Sequence, residues 1–326
     1  MSTLLSPSQK SLMIFSGRAY PELADEIAEH LGVTTTPSSS YAFANGEIYF
    51  RSEESARGCD VFIIQSHTTP INDWLVEQLI MVDALKRASA KRITVVVPFY
   101  PYARQDKKSR GREPISARLV ADMFKTAGAD RIMAVDLHTA QIQGFFDGPV
   151  DHLFATPILT RYIAEKYAGR EFAVVSPDSG RVRLSERWAE HLGGVPLAFI
   201  HKTRDVTRPN EAVANRVVGD IAGKLCILID DMVDTGGTIC KAADALIEAG
   251  AADVVIAATH GILSEPAVER LSASPAIEVI ITNTLPIPTE KRLPKLTVLS
   301  IAPLLARAIR EVFEDGSVTS LFDGDA

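Results

Sequence analysis

Residues 225–240 read LCILIDDMVDTGGTIC. An apolar run of strand length, LCILI (225–229), meets three aspartates, Asp230, Asp231 and Asp234, and then Thr235-Gly236-Gly237-Thr238. From there Ile239, Ala242, Leu246 and Ala249 fall on one helical face, and Gly250 supplies a stop. The pattern predicts a strand, an acidic loop and a helix. Like charges this close repel: at an effective dielectric of ~20, a pair ~5 Å apart costs about 3 kcal/mol. A loop that tolerates this cost at a strand's C-terminal end sits where open α/β sheets bind ligands.

The same alternation runs along the chain. Strands are expected at SLMIF (11–15), VFIIQ (61–65), ITVVV (93–97), RIMAV (131–135), FAVVS (172–176), DVVIAA (253–258), EVIIT (278–282) and LTVLS (296–300). Amphipathic segments lie between them; in 117–127, Leu119, Val120, Met123, Phe124 and Ala127 share a face and Gly128 ends it. Strands alternating with helices mean parallel sheets covered on both faces, an α/β fold. MAVDLHTAQIQG (133–144) echoes ILIDDMVDTGGT (227–238) as strand, acidic loop and helix, which suggests a duplicated unit. The expected domains are 10–158 and 159–300, with a last helix, 301–313, packing back on the first.

Length and composition exclude several classes. The 326 residues are 46% hydrophobic, enough for about two cored domains. Net charge is −7, so whole-chain charge gives no sign of nucleic-acid binding, and an anion site must come from local basic clusters. Three cysteines without a Cys-x-x-Cys pair suggest neither a zinc site nor a disulfide framework. Residues 1–10 have no long apolar segment after a basic region, and no run of 18 apolar residues occurs. A soluble, cytoplasmic protein is expected, with no membrane partner.

Several segments carry chemistry. Asp234–Thr238 offers small side chains, two hydroxyls and backbone N–H groups at a helix start, an anion cradle suited to a phosphate monoester. The acids suit hydroxyl donors such as those of a ribose; an ordinary cap with surface acids is the alternative. PFYPYARQDKKSRGREPISA (98–117) follows a strand and holds Arg104, Lys107, Lys108, Arg110 and Arg112, whose cations suit polyphosphate oxygens. Asp136 and His138 follow another strand and are candidates for Mg²⁺ or nucleotide contact, with a structural His equally open. Asp178 in VVSPDSGR (174–181) is either turn chemistry or a metal-facing carboxylate. HKTRDVTRPN (201–210) is a basic stretch that reads as a mobile loop over phosphates or as an exposed hairpin. Asn45-Gly46 in YAFANGEIYFRS (41–52) marks a hairpin, whose Phe43 and Glu47 are candidates for base contact. His67, His152 and His260 suggest only packing or turn polarity. No G-x-x-x-x-G-K-[ST] or G-x-G-x-x-G signature occurs.

The segments FANGEIYFR, QSHTTPINDWLVEQLIMVDALKRASAKRITVVVPFYPYARQDKK, VADMF, VDLHTAQIQGFFD, GDIAGKLCILIDDMVDTGGTICKAADAL and ATHGIL resemble the ribose-phosphate pyrophosphokinase family over nearly the whole chain. CILIDDMVDTGGT alone would indicate only the wider phosphoribosyltransferase group; YARQDKK and DLHTAQIQGFF narrow it. The resemblance implies two tandem phosphoribosyltransferase-like domains, each a mainly parallel sheet flanked by helices. It implies transfer of the β,γ-pyrophosphoryl group of ATP to the anomeric hydroxyl of ribose 5-phosphate, with Mg²⁺ as cofactor and a homohexamer built from dimers.

Carried over by motif, Asp230, Asp231, Asp234, Thr235, Gly236, Gly237 and Thr238 form the ribose 5-phosphate set, Asp231 without a ligand of its own. Phe43, Asn45, Gly46 and Glu47 (from a neighbouring subunit), Arg104, Gln105, Asp106 and His138 form the ATP set. His138 and Asp178 serve the metal, and Lys202 and Arg204 are catalytic. One departure is Arg181, where the family has a second glycine after Asp178-Ser179-Gly180. Two other readings are a phosphoribosyltransferase that consumes the product, which would not need the ATP-facing loops, and a silent regulatory homologue, which should have lost Lys202, Arg204, His138 or Asp178.

Overall fold

The apolar runs fold as the strands of two separate sheets. The structure, a computed structural model, describes residues 10–178, 182–203 and 214–322, and only the backbone of residues 182, 183, 202, 203, 214 and 215. The chain divides into two units, Met1–Leu153 with Ala302–Ala326, and Phe154–Ile301.

In the first unit, β1 (Leu12–Ser16) leads through α1 (Pro21–Leu31) to a hairpin of β2 (Ser38–Ala42) and β3 (Ile48–Ser52), then β4 (Asp60–Ile64) and α2 (Ile71–Arg87). It continues with β5 (Arg92–Val97), α3 (Ser116–Ala127), β6 (Arg131–Val135) and β7 (Val150–Leu153). The sheet order is β1-β4-β5-β6-β7, all parallel, so its strands follow the chain from one side to the other. β4 and β5 are apolar without alternation because both faces are covered. On one face Phe15, Val61, Ile63, Val95 and Val97 meet Val82 and Leu85 of α2 and Val120 and Phe124 of α3. α1 starts with Pro21, whose missing N–H is an orphan there anyway, and ends at Gly32 in the left-handed region.

In the second unit, α4 (Thr156–Lys166) precedes β8 (Phe172–Ser176), α5 (Val182–His191), β9 (Leu197–Thr203), β10 (Ala214–Val218) and β11 (Leu225–Val233). Then come α6 (Gly237–Glu248), β12 (Asp253–Gly261), α7 (Ala267–Ala273), β13 (Glu278–Thr282) and β14 (Leu296–Leu299). The order is β10-β9-β8-β11-β12-β13-β14, parallel except for β10 against β9. From β8 the chain adds β9 on one side, then returns to place β11 on the other. The strand order therefore reverses between β8 and β11, and a reversal opens a crevice at the C-terminal strand ends.

The last helix, α8 (Ala302–Phe313), packs on α1 in the first unit. An ionic chain holds its end. Arg92 spans buried Asp60 with Nε and Nη2 and reaches Asp315 with Nη1 at 2.7 Å, and Lys10 pairs with Asp315 as well. These two cations hold the Asp315 carboxyl down to about 2.

The expected α/β class of parallel sheets flanked by helices is what the chain adopts. Two local expectations need correction. β11 does not stop at residue 229: it pairs with β12 through Asp230↔Ala258, Met232↔His260 and Val233↔Gly261, so Asp230 and Asp231 lie within a strand. Cross-strand pairing overrides the charge density that reads as a loop. After β6 the echoed helix is a short 3-10 segment, Ala140–Phe145. The preceding turn is drawn onto β7 instead, where the Asp136 N–H donates to the Leu153 carbonyl and the Leu137 N–H to His152 Nε2.

Candidate active site

The reversal between β8 and β11 brings Asp178, two residues beyond β8, to the strand end beside the Asp230–Thr238 segment. One Asp230 carboxylate oxygen accepts the Asp231 N–H at 2.9 Å. Asp230 and Asp234 are half-buried, whereas Asp231 is 4% exposed and lies inside the fold rather than at the open edge. Thr235 and Thr238 are exposed. Gly236 caps α6 at φ +73°, a conformation costly for a side chain, and α6 begins with no acid in its first turn. The first N–H groups of such a helix have no partner within it and lie at the positive end of its dipole.

Sequence reasoning missed Arg270. Its Nη1 donates to the Thr235 carbonyl at 3.0 Å, and a Cβ on Gly237 would come within 3.1 Å of the same nitrogen. Nothing in AVERL (267–271) marks it; only the packing of α7 against the loop places it there.

In the first unit the corresponding strand ends carry the other candidates. The basic loop leaves β5, and Arg104, Gln105, Lys107, Lys108, Arg110 and Arg112 are all exposed. Glu113 shapes it by accepting the N–H groups of Ser109 and Arg110 at 2.7 and 2.8 Å. Asp106, expected in the ATP set, is 5% exposed and accepts Thr139 Oγ1 at 2.6 Å and Gln141 Nε2 at 2.7 Å. It thus ties the basic loop to the segment after the neighbouring strand β6, which carries half-buried His138.

The hairpin is as the Asn-Gly signal suggests, with a three-residue loop. Phe43 N donates to the Glu47 carbonyl, Gly46 N to the Phe43 carbonyl, and Gly46 stands at φ +91°. Phe43, Asn45 and Glu47 are exposed, and Phe43 packs edge-on against Tyr41. An open hollow of about 460 Å³ separates the hairpin from α2, lined by Phe43, Gly46, Glu47, Asn72, Asp73 and Val76 among others.

A second network escaped the sequence reading. Fully buried Glu77 accepts Arg18 Nε at 2.6 Å, the Arg18 N–H at 3.2 Å, Ser40 Oγ at 2.7 Å and Gln65 Nε2 at 2.7 Å. It thereby fastens the hairpin to the ends of β1 and β4. Gly17 is needed here, since a Cβ would fall 2.3 Å from the Gln65 side chain. The available signal was the polar pair Glu77-Gln78 on the helical face of Met81 and Leu85.

Of the remaining candidates, Lys202 has its backbone in β9 opposite Asn215, and Arg204 and Arg181 lie outside the described residues. The structural reading of the three histidines holds. His152 accepts from Leu137, His260 bonds Thr284 Oγ1, and His67 is buried beside Phe124, its pKa pushed down to about 3 by burial. Among the described residues no cluster of three or more His, Cys, Asp or Glu side chains forms a ready metal cage, and no helix is long and apolar enough to cross a membrane.

Comparison with known proteins accounts for the whole chain. Residues 12–128 match the N-terminal domain of ribose phosphate pyrophosphokinase, and residues 194–323 the phosphoribosyl synthetase-associated domain. A ribose-phosphate pyrophosphokinase of Mycobacterium tuberculosis is 66% identical over 326 residues, covering all of both chains. One of Streptomyces coelicolor is 64% identical over 323 residues, 99% of each. The crystal structure of phosphoribosylpyrophosphate synthetase from Mycobacterium smegmatis superimposes with a TM-score of 0.90 at 67% identity, covering 94% of this chain and 100% of that one.

Proposed function

The chain belongs to the ribose-phosphate pyrophosphokinase family, and we propose how its residues divide the work of that activity. The reaction moves the β,γ-pyrophosphoryl group of ATP to the anomeric hydroxyl of ribose 5-phosphate and releases AMP. Thr235, Gly236, Gly237 and Thr238 hold the 5-phosphate on the N-terminus of α6, where N–H groups and the helix dipole favour an anion. Asp230 and Asp234 accept ribose hydroxyls from the edge of β11. Arg104 and Gln105 hold the triphosphate, and buried Asp106 positions their loop against His138 without touching nucleotide. Phe43, Asn45, Gly46 and Glu47 contact the adenine of a neighbouring subunit in a hexamer.

Magnesium fits as a substrate-borne ion. Octahedral Mg²⁺ keeps several waters and takes few protein ligands, so His138 and Asp178 suffice as the protein groups that serve it. When bound, it neutralises charge on the polyphosphate. Lys202 and Arg204 add charge at the transferred group and the leaving oxygen. The ribose oxygen attacks the β-phosphorus in line, and positioning and charge neutralisation dominate the rate.

The observation that carries this reading is the Asp230–Thr238 segment at the β8/β11 reversal, with Asp178 on the adjacent strand end. A coupled assay of AMP release from MgATP tests it. Release is expected only with ribose 5-phosphate present. ATP turnover that ignores this sugar would overturn the reading.

A further inference from the structure

We propose that Arg270 is a positioning residue of the 5-phosphate cradle, and that it sets the affinity for ribose 5-phosphate separately from that for ATP. The inference rests on the cradle reading above and deepens it. In a trans peptide the C=O and the next N–H point in opposite directions. Arg270 Nη1 holds the Thr235 carbonyl at 3.0 Å. The Gly236 N–H of that same peptide is therefore turned away from α7. Gly236 at φ +73° then leads into the first turn of α6, whose early N–H groups remain available to an anion. One guanidinium contact thus fixes the orientation of the peptide that opens the cradle.

The two glycines acquire different reasons. Gly236 is required by its backbone conformation, and its Cβ would meet α7 only at ordinary distances, 3.6 Å from Ala267 Cα. Gly237 has no positive φ; what fills the space beside it is Arg270 Nη1, 3.1 Å from where a Cβ would stand. The second glycine is therefore the seat of the arginine. Arg270 is itself exposed, so its charge also lies at an open cradle that must receive a dianion. A lysine offers a point charge on a flexible stem and no planar fork, so it can keep the charge without fixing the carbonyl.

The experiment measures KM for ribose 5-phosphate and for ATP, together with kcat, in the full chain carrying Arg270→Ala, Arg270→Lys, Gly237→Ala or Gly237→Ala with Arg270→Ala. Thermal protection by ribose 5-phosphate alone provides a readout free of catalysis. Arg270→Ala is expected to raise the ribose 5-phosphate KM about tenfold, as loss of a charged hydrogen bond implies, with the ATP KM moved less than about twofold. Arg270→Lys should recover part of the loss. Gly237→Ala should raise the same KM, and add little once Arg270 is gone, because both changes remove one contact.

An unchanged ribose 5-phosphate KM in Arg270→Ala, equal shifts in both substrates' KM values, or fully additive effects of the pair would each overturn the proposal. Gly236→Val separates this failure from failure of the cradle itself. If Gly236→Val weakens ribose 5-phosphate and Arg270→Ala does not, the cradle stands and the role of Arg270 falls. If wild-type protein shows no protection by ribose 5-phosphate and Gly236→Val leaves its KM unaltered, the cradle and the inference fall together.

Discussion

Replacing Glu77 with glutamine removes one charge and keeps the shape, and the structure sets the size of the effect. Both carboxylate oxygens are used: Oε1 accepts Arg18 Nε and Ser40 Oγ, and Oε2 accepts the Arg18 N–H and Gln65 Nε2. A glutamine amide has one acceptor and one NH₂, so one of the two sides must face donor against donor. Arg18 also loses its counter-charge. Breaking a buried ion pair from one side costs about 3–5 kcal/mol. Arg18 is 33% exposed, so solvent takes up part of that, and about 3 kcal/mol is expected. For a unit of this size, that lowers Tm by about 6–12 °C.

Ser40→Ala removes one bond and leaves the other donors, so about 1 kcal/mol and ~3 °C are expected. Because Ser40 is the hairpin's link to the network, amide exchange across residues 41–47 should also quicken in both variants. Calorimetry with hydrogen exchange reads both outcomes. A Tm drop below ~2 °C in Glu77→Gln, with unchanged exchange in the hairpin, would refute the view that this carboxylate carries the hairpin.

Lys202→Ala should reduce kcat by orders of magnitude while Tm and substrate protection stay near wild type; near-normal turnover would remove the lysine from the catalytic machinery. His67 governs an acid-side stability slope. Its folded pKa is about 3 and its unfolded pKa about 6.5, so on the way down from pH 6.5 the unfolded chain takes up a proton that the folded chain refuses. Stability therefore falls as pH falls through that window, by up to ~1.4 kcal/mol per pH unit. Urea unfolding of wild type and His67→Leu between pH 4 and 7 checks this, and equal slopes in the two proteins would contradict it.

Much of the fold was legible because parallel strands buried on both faces must be apolar throughout. FAVVS and EVIIT were placed to the residue as β8 and β13. The elements that escaped are those that lack a long apolar run of their own and become strands only through pairing. VDHL of β7 has a charged and a polar residue in four, and it is a strand because β6 offers it a ladder. β9 and β10 flank the basic stretch that reads as loop or as exposed hairpin, and their antiparallel ladder is what the local pattern left open. For the site, the acids and glycines of 230–238 announced themselves by composition. Asp106 entered the ATP set by resemblance, and only the folded chain shows it buried against Thr139 and Gln141.

The sequence by itself determined the class of chemistry. Residue types at short spacing, an acid pair, a Thr-Gly-Gly-Thr turn before a helix and an arginine loop after a strand, fix which groups can meet a phosphate and a sugar. The tertiary structure decided where that chemistry gathers. The sheet of the first unit runs in chain order, while that of the second reverses between β8 and β11, which puts the crevice such a reversal opens beside its acids. It also supplied the supports, Arg270 on the Thr235 carbonyl and Glu77 beneath the hairpin. Such residues act through contacts 35 and 37 positions apart in the chain. Local pattern shows at most a polar pair, Glu77-Gln78, on an apolar face and never its partners, because tertiary packing sets which distant residues meet.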